Sequence, residues 1–308
     1  KTKREYEKVI GRGGYGPRVA AKSLKPGASN QSVIQLRNRL IAMGYLKRNA
    51  GTSYDDRMRN AVAAFQRDHG LFTDGVAGAR TMAAINTSAA ARLSQIVVAM
   101  ERERWTNMDR GKRHVWVNLT DFSAQIVDNG MVTFQTRSVI GKNQRDRRSP
   151  EFSDVMEHLV INPTWYVPRS ITTKEYLPML QQNPAAVRHL QLVRGGRAVS
   201  REGVDFTQFN EKNFPYDMRQ PPSRGNALGL VKFMFPNRYN IYLHDTPQKA
   251  LFGREKRDFS HGCIRLNDPF DFAYALLAKQ ERNPQEFFQT RLSSWRETQL
   301  DLDHHLPV

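Results

Sequence analysis

Between residues 30 and 86, apolar residues recur every three or four positions, which is the period of an amphipathic helix. The two clearest stripes are made by Val33, Leu36, Leu40 and Met43 and by Met58, Val62 and Phe65. Glycines in "MGY" and in "DHGLFTDGVAG" lie where those helices would end. The pattern therefore predicts a small helical domain over residues 30–86. A further apolar stripe predicts one connecting helix over residues 87–112.

From residue 113 the pattern changes to an alternation of apolar and polar residues, which is typical of half-buried strands. The segment "HVWVNL" alternates in this way, and Asn129-Gly130 between two such runs is a strong hairpin signal. Further strands are predicted in "EHLVINPTW", "GLVKFMF" and "NIYLHDT". Asp268-Pro269 and Asn283-Pro284 each place proline after an N-cap residue, so two helices are expected to close the chain. The last helix would pack through Phe288, Leu292 and Trp295.

Residues 166–226 interrupt the strand pattern. They contain helical pieces such as "TKEYLPMLQQNP", a possible hairpin at Gly195-Gly196 and proline-rich ends. An insert of this length between the strands of a compact domain is uncommon unless it forms a lid or a binding element. We therefore predict an α+β multidomain protein whose mostly-β domain, residues 113–308, carries a capping insert. A surface insertion without a role is the alternative.

The 308 residues include 47 Lys and Arg against 30 Asp and Glu, which gives a formal net charge of +17. A basic surface of this kind favours polyanionic partners such as nucleic acid, anionic lipid or an acidic wall polymer. Nucleic acid is the least favoured, because no dense block of Lys and Arg is interleaved with aromatic residues. The sequence has no run of about 18 apolar residues of the kind that spans a membrane.

Residues 1–29 are basic and rich in glycine, and we predict a linker or the remainder of a scaffold there. Their "GRGGYG" segment has the spacing G-x-G-x-x-G, but no strand and helix surround it, so it is predicted to be a loop. Because the chain begins with Lys1 rather than Met, the expectation is that an upstream part is missing.

Cys263 is the single cysteine of the chain and lies in "FSHGCIRLND". If this segment is extended, His261, Cys263 and Arg265 share one face, and the positive neighbours favour the thiolate. Gly262 lets the backbone approach a substrate closely and turn N–H groups towards a developing oxyanion. His244 ends an apolar strand nineteen residues upstream, where an adjacent strand would bring it to the thiol as general base and acid.

Two other interpretations of Cys263 are open on the residues alone. A lone cysteine is most often a small buried apolar residue. A zinc site would need His244, His261 and Cys263 as its ligands, and the sequence has neither C-x-x-C nor H-E-x-x-H. We therefore predict no metal and no cofactor.

The helical region resembles the peptidoglycan-binding domain of the three-helix type. The matching features are a Leu-x(3)-Leu helix that ends in Gly44-Tyr45-Leu46, an Ala-Val-x-x-Phe-Gln helix, and Asp74-Gly75 followed by Gly78 and Thr81. This resemblance implies that residues 30–86 bind the cell wall.

A second resemblance lies around the cysteine. His244, fifteen intervening residues and then Ser260-His261-Gly262-Cys263 resemble the signature of the YkuD-type L,D-transpeptidase catalytic domain. The inserted lid and the upstream wall-binding region are similar to the large YcbB-type L,D-transpeptidases of Gram-negative bacteria.

The family resemblance implies the reaction and the roles. Cys263 would attack the carbonyl of meso-diaminopimelate in a tetrapeptide stem, release D-Ala and form a thioester, which the amine of a second stem converts into a 3→3 cross-link. His244 would shuttle the proton, and backbone N–H groups near Gly262 would hold the oxyanion. His261 would orient the loop. Substrate contacts are assigned to Tyr242, Ser260, Arg265 and Trp165.

The same resemblance implies peptidoglycan tetrapeptide stems as partners, carbapenem β-lactams as covalent inhibitors, and other wall-synthesis proteins as associates. It implies a periplasmic protein that is held at the inner membrane through the missing N-terminal segment. Two rival functions stay open at this point. One is an L,D-carboxypeptidase or cross-link hydrolase with the same nucleophile, and the other is a catalytically inactive wall-binding scaffold.

Overall fold

The computed structural model of the protein describes residues 2–105 and 109–308. The chain divides into two compact units, Lys1–Asp109 and Arg110–Val308. The first unit is helical and the second is built mainly from strands, so the predicted α+β multidomain class is confirmed.

The described part of the first unit is helical. Two of its helices begin at side-chain caps, because the Asn30 and Asp55 side chains accept hydrogen bonds from the N–H groups of Val33 and Met58 at 3.1 and 2.9 Å. The helices are α1 (Thr2–Gly11), α2 (Gln31–Ala42), α3 (Asp56–Asp68), α4 (Ala79–Ile85) and α5 (Ala89–Trp105). Both predicted apolar stripes are buried except for Met43, so α2, α3 and α4 enclose the core of the unit.

A buried glutamine holds the Asp74-Gly75 turn of this unit. The Gln66 amide donates to Asp74 Oδ1 and to Thr81 Oγ1 at 2.9 and 3.1 Å, and its oxygen accepts from the Gly75 N–H at 2.8 Å. Because a buried amide is costly unless its hydrogen bonds are made, this residue fixes the turn against α3 and α4. Four of the residues that carried the resemblance to a peptidoglycan-binding domain, Gln66, Asp74, Gly75 and Thr81, are thus joined by hydrogen bonds.

The residues ahead of α2 belong to the core of this unit and do not form a free linker. Val19 and Leu24 are buried in that core, and the Arg39 guanidinium donates to the carbonyls of Gly16 and Pro17. Helix α1 has no counterpart in the sequence prediction, whereas the "GRGGYG" segment turns after α1 as a loop.

Helix α5 forms only part of the predicted connecting helix over 87–112, because residues 109–112 are not helical. Its bounds are Ala89 and Trp105, and residues 106–108 of the predicted helix lie outside the described residues. None of the described helices in either unit is long and apolar enough to cross a membrane.

The described part of the second unit centres on a mixed nine-stranded sheet. Its strands are β1 (Arg113–Asn118), β2 (Ser123–Asp128), β3 (Met131–Gly141), β4 (Val155–Ile161), β9 (Val231–Met234), β10 (Leu243–His244), β11 (Asp258–Ser260), β12 (Ile264–Leu266) and β13 (Thr298–Pro307). Their order in the sheet is β1-β2-β3-β12-β10-β9-β4-β13, and β11 pairs with β3 outside this path. The predicted Asn129-Gly130 hairpin joins β2 and β3, and both turn residues have positive φ.

Two helices, α8 (Pro269–Leu277) and α9 (Pro284–Ser293), begin at the predicted proline positions. The expectation that they close the chain is wrong, because β13 follows and pairs with β4 as an edge strand. The packing stripe predicted for the last helix is also incomplete. Phe288 is fully buried, but Trp295 lies beyond the end of α9 with 45% of its surface exposed.

The insert, residues 166–226, adds a small second sheet and a helical segment. The sheet order is β5-β8-β6-β7, formed by β5 (Trp165–Tyr166), β6 (Gln191–Arg194), β7 (Arg197–Val199) and β8 (Asp217–Gln220). The predicted Gly195-Gly196 turn joins β6 to β7, and both glycines have positive φ. The helical segment consists of α6 (Arg169–Ile171), a π-helical turn (Thr172–Tyr176) and α7 (Leu177–Gln182).

The insert and the main sheet share one continuous apolar core. Buried residues of the insert, including Leu177, Leu180 and Leu192, belong to the same cluster as Leu159 and Phe233 of the main sheet. The base of the insert is therefore fixed by apolar packing to the domain that carries it.

Gly141, the last residue of β3, has no room for a side chain. A Cβ atom there would lie 2.1 Å from the Arg147 carbonyl oxygen, 2.7 Å from the Ser149 nitrogen and 3.0 Å from Gly262 Cα. Two backbone segments therefore converge on Gly141, and one of them carries Cys263.

We expect Gly141→Ala to lower the free energy of unfolding by about 1–3 kcal/mol, because the added methyl group would have to displace backbone rather than a flexible side chain. Urea denaturation of the purified protein measures this change. Gly253→Ala is the matched control, since nothing lies within 4 Å of the Cβ position there. Equal stability of the two variants would contradict the inferred backbone contact.

Candidate active site

Strands β10 and β12 run parallel and in register. Leu243 pairs with Ile264, and His244 pairs with Arg265. The Ile264 N–H donates to the Tyr242 carbonyl at 3.1 Å, which places Cys263 beside Tyr242. Because side chains alternate along a strand, Tyr242, His244, Cys263 and Arg265 lie on one face of the sheet, which we call the thiol face.

The segment that carries Cys263 bends sharply instead of continuing as one strand. Strand β11 ends at Ser260 and β12 begins at Ile264, and Gly262 between them has a φ of 123°, which side chains rarely allow. His261 consequently leaves the face that Cys263 occupies. Its Nε2 lies 2.7 Å from a carboxylate oxygen of Glu175 in the insert.

Two serine hydroxyls hold this bend. Ser260 Oγ donates to the Cys263 carbonyl and accepts from the Gly262 N–H at 2.5 and 3.1 Å. Ser149 Oγ donates to the Gly262 carbonyl at 2.6 Å and accepts from the Gly141 N–H at 3.0 Å. Ser260 therefore braces the loop, and Ser149 fastens the loop to the end of β3.

These hydrogen bonds decide which backbone donor is open to a ligand. The Gly262 N–H already points to Ser260 Oγ. In the described part of the chain, the N–H of Cys263 has no protein acceptor. It is therefore the donor that could face an oxygen bound above the thiol.

The Cys263 thiol is half-buried, and Sγ lies 3.7 Å from the Asn240 carbonyl oxygen, to which it donates. Burial raises the pKa of this thiol to about 11, while hydrogen bonds from the backbone and the hydroxyl of Tyr242 and the charges of Arg265 and Lys232 lower it. Burial prevails, so the thiol is neutral near pH 7. The surrounding donors and cations would favour the thiolate once it forms.

His244 is also neutral near pH 7. Its burial, with only 4% of the residue exposed, lowers the pKa to about 3, and the charge of Arg265 acts in the same direction. Nδ1 lies 2.5 Å from the carbonyl oxygen of Asp245, and the ring packs edge-on against Tyr242 with the centroids 5.8 Å apart. Among the described residues, Cys263 Sγ makes no hydrogen bond to this ring, so Tyr242 is the closer partner of the thiol.

The Asp245 side chain holds the end of β10. One carboxylate oxygen accepts from the Leu230 N–H at 2.9 Å, and the other accepts from Lys249 Nζ at 2.8 Å. A Cβ on Gly229 would lie 2.3 Å from this carboxylate, so glycine is required at that position as well. These contacts fix the carbonyl oxygen that faces Nδ1 of His244.

Lys232 is a site residue that the sequence analysis did not identify. It is paired with His244 across β9 and β10, and its ammonium nitrogen lies 5.9 Å from the centre of the Tyr242 ring. Burial lowers its pKa, and the charge of Glu297 is the larger of the effects that oppose this. Its position in "GLVKFMF" is that of an ordinary alternating strand residue, so only the register of the sheet reveals it.

The two predicted substrate residues Arg265 and Trp165 lie in different places. Arg265 is on the thiol face and donates to Gln248 Oε1 at 2.7 Å. Trp165 is buried at the base of the insert, where its ring packs edge-on against Tyr176 at 6.3 Å. Trp165 thus contributes to the core and exposes little surface to a ligand.

The residues on this face could carry out acyl transfer. A thiol, a neutral imidazole and an open backbone N–H provide a nucleophile, a base and an oxyanion donor. Within residues 2–105 and 109–308, no group of three or more His, Cys, Asp or Glu side chains is placed to hold a metal ion.

Comparison with protein families gives two matches. The family described as L,D-transpeptidase catalytic domain matches residues 112–281, which include every residue of the thiol face. The family described as "Putative peptidoglycan binding domain" matches residues 29–85.

A curated relative from Haemophilus influenzae, named "Putative L,D-transpeptidase", is 30% identical over 196 residues. The match covers 63% of this chain but only 39% of that relative. A crystal structure of an L,D-transpeptidase from Xylanimonas cellulosilytica aligns over 95% of this chain and 97% of its own at 15% identity and a TM-score of 0.25. A fused Zn-dependent amidase/peptidase/peptidoglycan-binding protein from Clostridium acetobutylicum aligns over 79% and 89% at 13% identity and a TM-score of 0.20. Both TM-scores are too low to support an argument about the fold.

We expect Tyr242→Phe to raise the pKa of Cys263 further, because the variant lacks the hydroxyl that donates to the thiolate. A hydrogen bond to a charged group contributes about 1.5–3 kcal/mol, which corresponds to about one to two pKa units. Alkylation of the thiol by iodoacetamide, followed by intact mass between pH 7 and pH 10.5, measures the shift. At a given pH below the parent pKa, the variant should react about 10- to 100-fold more slowly.

The matched control is Tyr274→Phe, since the Tyr274 hydroxyl accepts from Gln289 and not from the thiol face. The parent rate should itself rise with pH up to about 11, because only the thiolate reacts and burial raises the pKa of Cys263 to about 11. A parent rate that is already level at pH 7, or identical profiles for Tyr242→Phe and the parent, would refute this description of the thiol.

Proposed function

Because the chain belongs to the L,D-transpeptidase catalytic domain family, we propose that it is a cysteine-dependent acyltransferase of peptidoglycan. The reaction forms 3→3 cross-links between meso-diaminopimelate residues, with a tetrapeptide stem as donor. The observation that carries the proposal is the thiol face itself, where Cys263 lies beside Tyr242 and one residue pair from His244.

In the first half-reaction Sγ of Cys263 attacks the carbonyl between diaminopimelate and the terminal D-Ala. The thiol proton passes to His244, and the negative oxygen of the tetrahedral intermediate is held by the Cys263 N–H. The C–N bond then breaks, His244 gives its proton to the leaving amine, and a thioester remains on Cys263. Burial favours the neutral thiol and the neutral imidazole at rest, so the reaction would start from this pair.

The second half-reaction regenerates the thiol. The side-chain amine of another stem attacks the thioester carbonyl and loses a proton to His244. The C–S bond breaks, and the thiolate recovers the proton from the imidazole. The thiolate is stabilised while it is the leaving group by the Tyr242 hydroxyl and by the charges of Arg265 and Lys232.

His244 acts as the proton carrier in this scheme although it makes no hydrogen bond to Sγ in the unliganded protein. Catalytic hydrogen bonds often shorten only when the substrate is bound. The Asp245 carbonyl accepts from Nδ1, and the Leu228 carbonyl is a second backbone acceptor at the ring. With the proton on Nδ1, Nε2 is the nitrogen that would take the thiol proton.

The other parts of the chain would serve the same substrate. The helical unit, which matches the peptidoglycan-binding family over residues 29–85, would tether the enzyme to the wall and raise the local concentration of stems. The insert would cap the bound stem and exclude water, which favours an amine acceptor over hydrolysis. A wall substrate would place the protein in the periplasm, held at the inner membrane and close to other wall-synthesis proteins.

We expect Cys263→Ala to abolish release of D-Ala from a purified disaccharide-tetrapeptide, because the variant has no nucleophile. Mass spectrometry of the protein and of the products reports the thioester, the leaving group and the acceptor together. The parent should also gain the mass of one carbapenem molecule on exposure to that β-lactam, and Cys263→Ala should not.

Thermal unfolding of Cys263→Ala checks that the variant is folded. Cross-linked product from this variant above the uncatalysed background would refute the cysteine mechanism. A parent that releases D-Ala but yields only tripeptide would identify a hydrolase instead of a transpeptidase.

His244→Ala should lower the rate of thioester formation by about 10²- to 10⁴-fold, the usual contribution of general acid–base catalysis. Single-turnover kinetics with the tetrapeptide measures this step by itself. His158→Ala serves as a control, because His158 lies on β4 and pairs with Met234 and not with the thiol face. A rate for His244→Ala within about threefold of the parent would remove this histidine from the mechanism.

A further inference from the structure

One carboxylate of the insert bridges two groups of the catalytic region. Oε1 of Glu175 lies 2.7 Å from Nη2 of Arg147 and 2.7 Å from Nε2 of His261. His261 precedes the glycine of the loop that carries Cys263. Three segments that are distant in sequence therefore meet at one oxygen atom: the insert, the loop after β3 and the cysteine loop.

Glu175 is placed by a wide turn of its helix. The Leu177 N–H donates to the Thr172 carbonyl, a step of five residues, and the turn between them is π-helical. Such turns are uncommon and are frequent at functional sites. The residues that follow Glu175 are anchored in the insert, because Leu177 is buried and Tyr176 packs against Trp165.

The two partners of Glu175 both belong to the support of the cysteine loop. The Arg147 carbonyl lies against the Gly141 and Gly262 backbone, 2.1 and 4.0 Å from their Cβ positions. Two residues further on, Ser149 Oγ donates to the Gly262 carbonyl. A displacement of Arg147 or His261 would therefore be transmitted to the backbone that presents the thiol.

We propose that Glu175 is a positioning residue that fastens the insert to the cysteine loop, so that an extended substrate meets both in a fixed relation. This inference rests on the proposed function for its substrate, but the contact itself does not depend on it. Apolar packing fixes the base of the insert, and the Glu175 bridge fixes the part that faces the thiol region.

The contacts of Glu175 with Arg147 and His261 should affect substrate binding, but the fold should not depend on them. The Glu175, Arg147 and His261 side chains are 28%, 25% and 35% exposed, so water screens the contacts only in part. An exposed ion pair contributes little to stability, whereas a charge-assisted hydrogen bond that is partly shielded contributes more. We therefore expect a substrate effect without unfolding.

The experiment compares Glu175→Gln with the parent and with Glu211→Gln, which removes an exposed carboxylate from the same insert. Gln has the size of Glu but lacks the negative charge that contacts both Arg147 and His261. Three measurements are made on each protein: hydrogen–deuterium exchange of residues 169–182 and 258–266, alkylation of Cys263 by iodoacetamide, and cross-linking of tetrapeptide stems with kcat and KM separated.

For Glu175→Gln we expect faster exchange in both segments and a rise of about tenfold in the KM for stems. Alkylation should stay within about threefold of the parent, because a small reagent needs no contact with the insert. Glu211→Gln should match the parent in all three measurements. Glu175→Asp should recover part of the loss, since it retains the charge but shortens the reach.

Arg147→Met and the Glu175→Gln/Arg147→Met double variant complete a double-mutant cycle, which tests whether the two substitutions act through the same contact. If Glu175 acts through this contact, the double variant should lose no more than about twofold beyond the worse single variant. The proposal would be overturned if hydrogen–deuterium exchange of residues 169–182 were unchanged in Glu175→Gln. It would also be overturned if the fold-losses of the two single variants multiplied in the double variant. A parent that forms no cross-links would refute the proposed function, and the exchange data would still decide whether Glu175 fastens the insert.

Discussion

The parallel pairing of β10 with β12 is the constraint on which the thiol site depends. Because these two strands run in the same direction and in register, His244 lies beside Arg265 and Tyr242 lies beside Cys263. A slip of one residue in this pairing would move every side chain of the slipped strand to the opposite face and separate the thiol from its neighbours. The flanking strands β9 and β3 keep this register and add Lys232 to the same face.

Backbone contacts that only glycine allows hold the bend at Cys263. Gly141 lets two segments approach and Gly262 allows the positive φ of the bend, while the Ser149 hydroxyl joins the segments and the Ser260 hydroxyl braces the loop. The conformation of the cysteine loop is thus set by two glycines and two serine hydroxyls that are not reacting groups in the proposed reaction. These contacts hold the backbone on both sides of Cys263, as the proposed acyl transfer would require.

Electrostatics at the site balances two opposed effects. Burial keeps the thiol and the imidazole neutral, raising the pKa of Cys263 to about 11 and lowering that of His244 to about 3. Arg265 and Lys232 oppose the effect on the thiol and reinforce the effect on the histidine. In the proposed reaction, the negative charge that develops during attack would meet donors and cations that are already in place.

The sequence by itself determined the features that local pattern encodes. Helical periodicity placed α2 and α3, Asn129-Gly130 placed a hairpin, and the motif from His244 to Cys263 indicated the family. Such signals depend on residues close in the chain or on a motif read directly. The family matches over 29–85 and 112–281 begin one residue before the predicted ranges 30–86 and 113–308.

Only the tertiary structure decided the rest. It showed β13 as an edge strand after the last helix, and it brought Lys232, Ser149 and Glu175 to the thiol region. Each of these placements depends on pairing or contact between residues far apart in sequence, and no local periodicity encodes it. Ser149 and Glu175 would be ordinary polar residues in any other fold; the approach of three backbone segments at Gly141 and Gly262 gives them their roles.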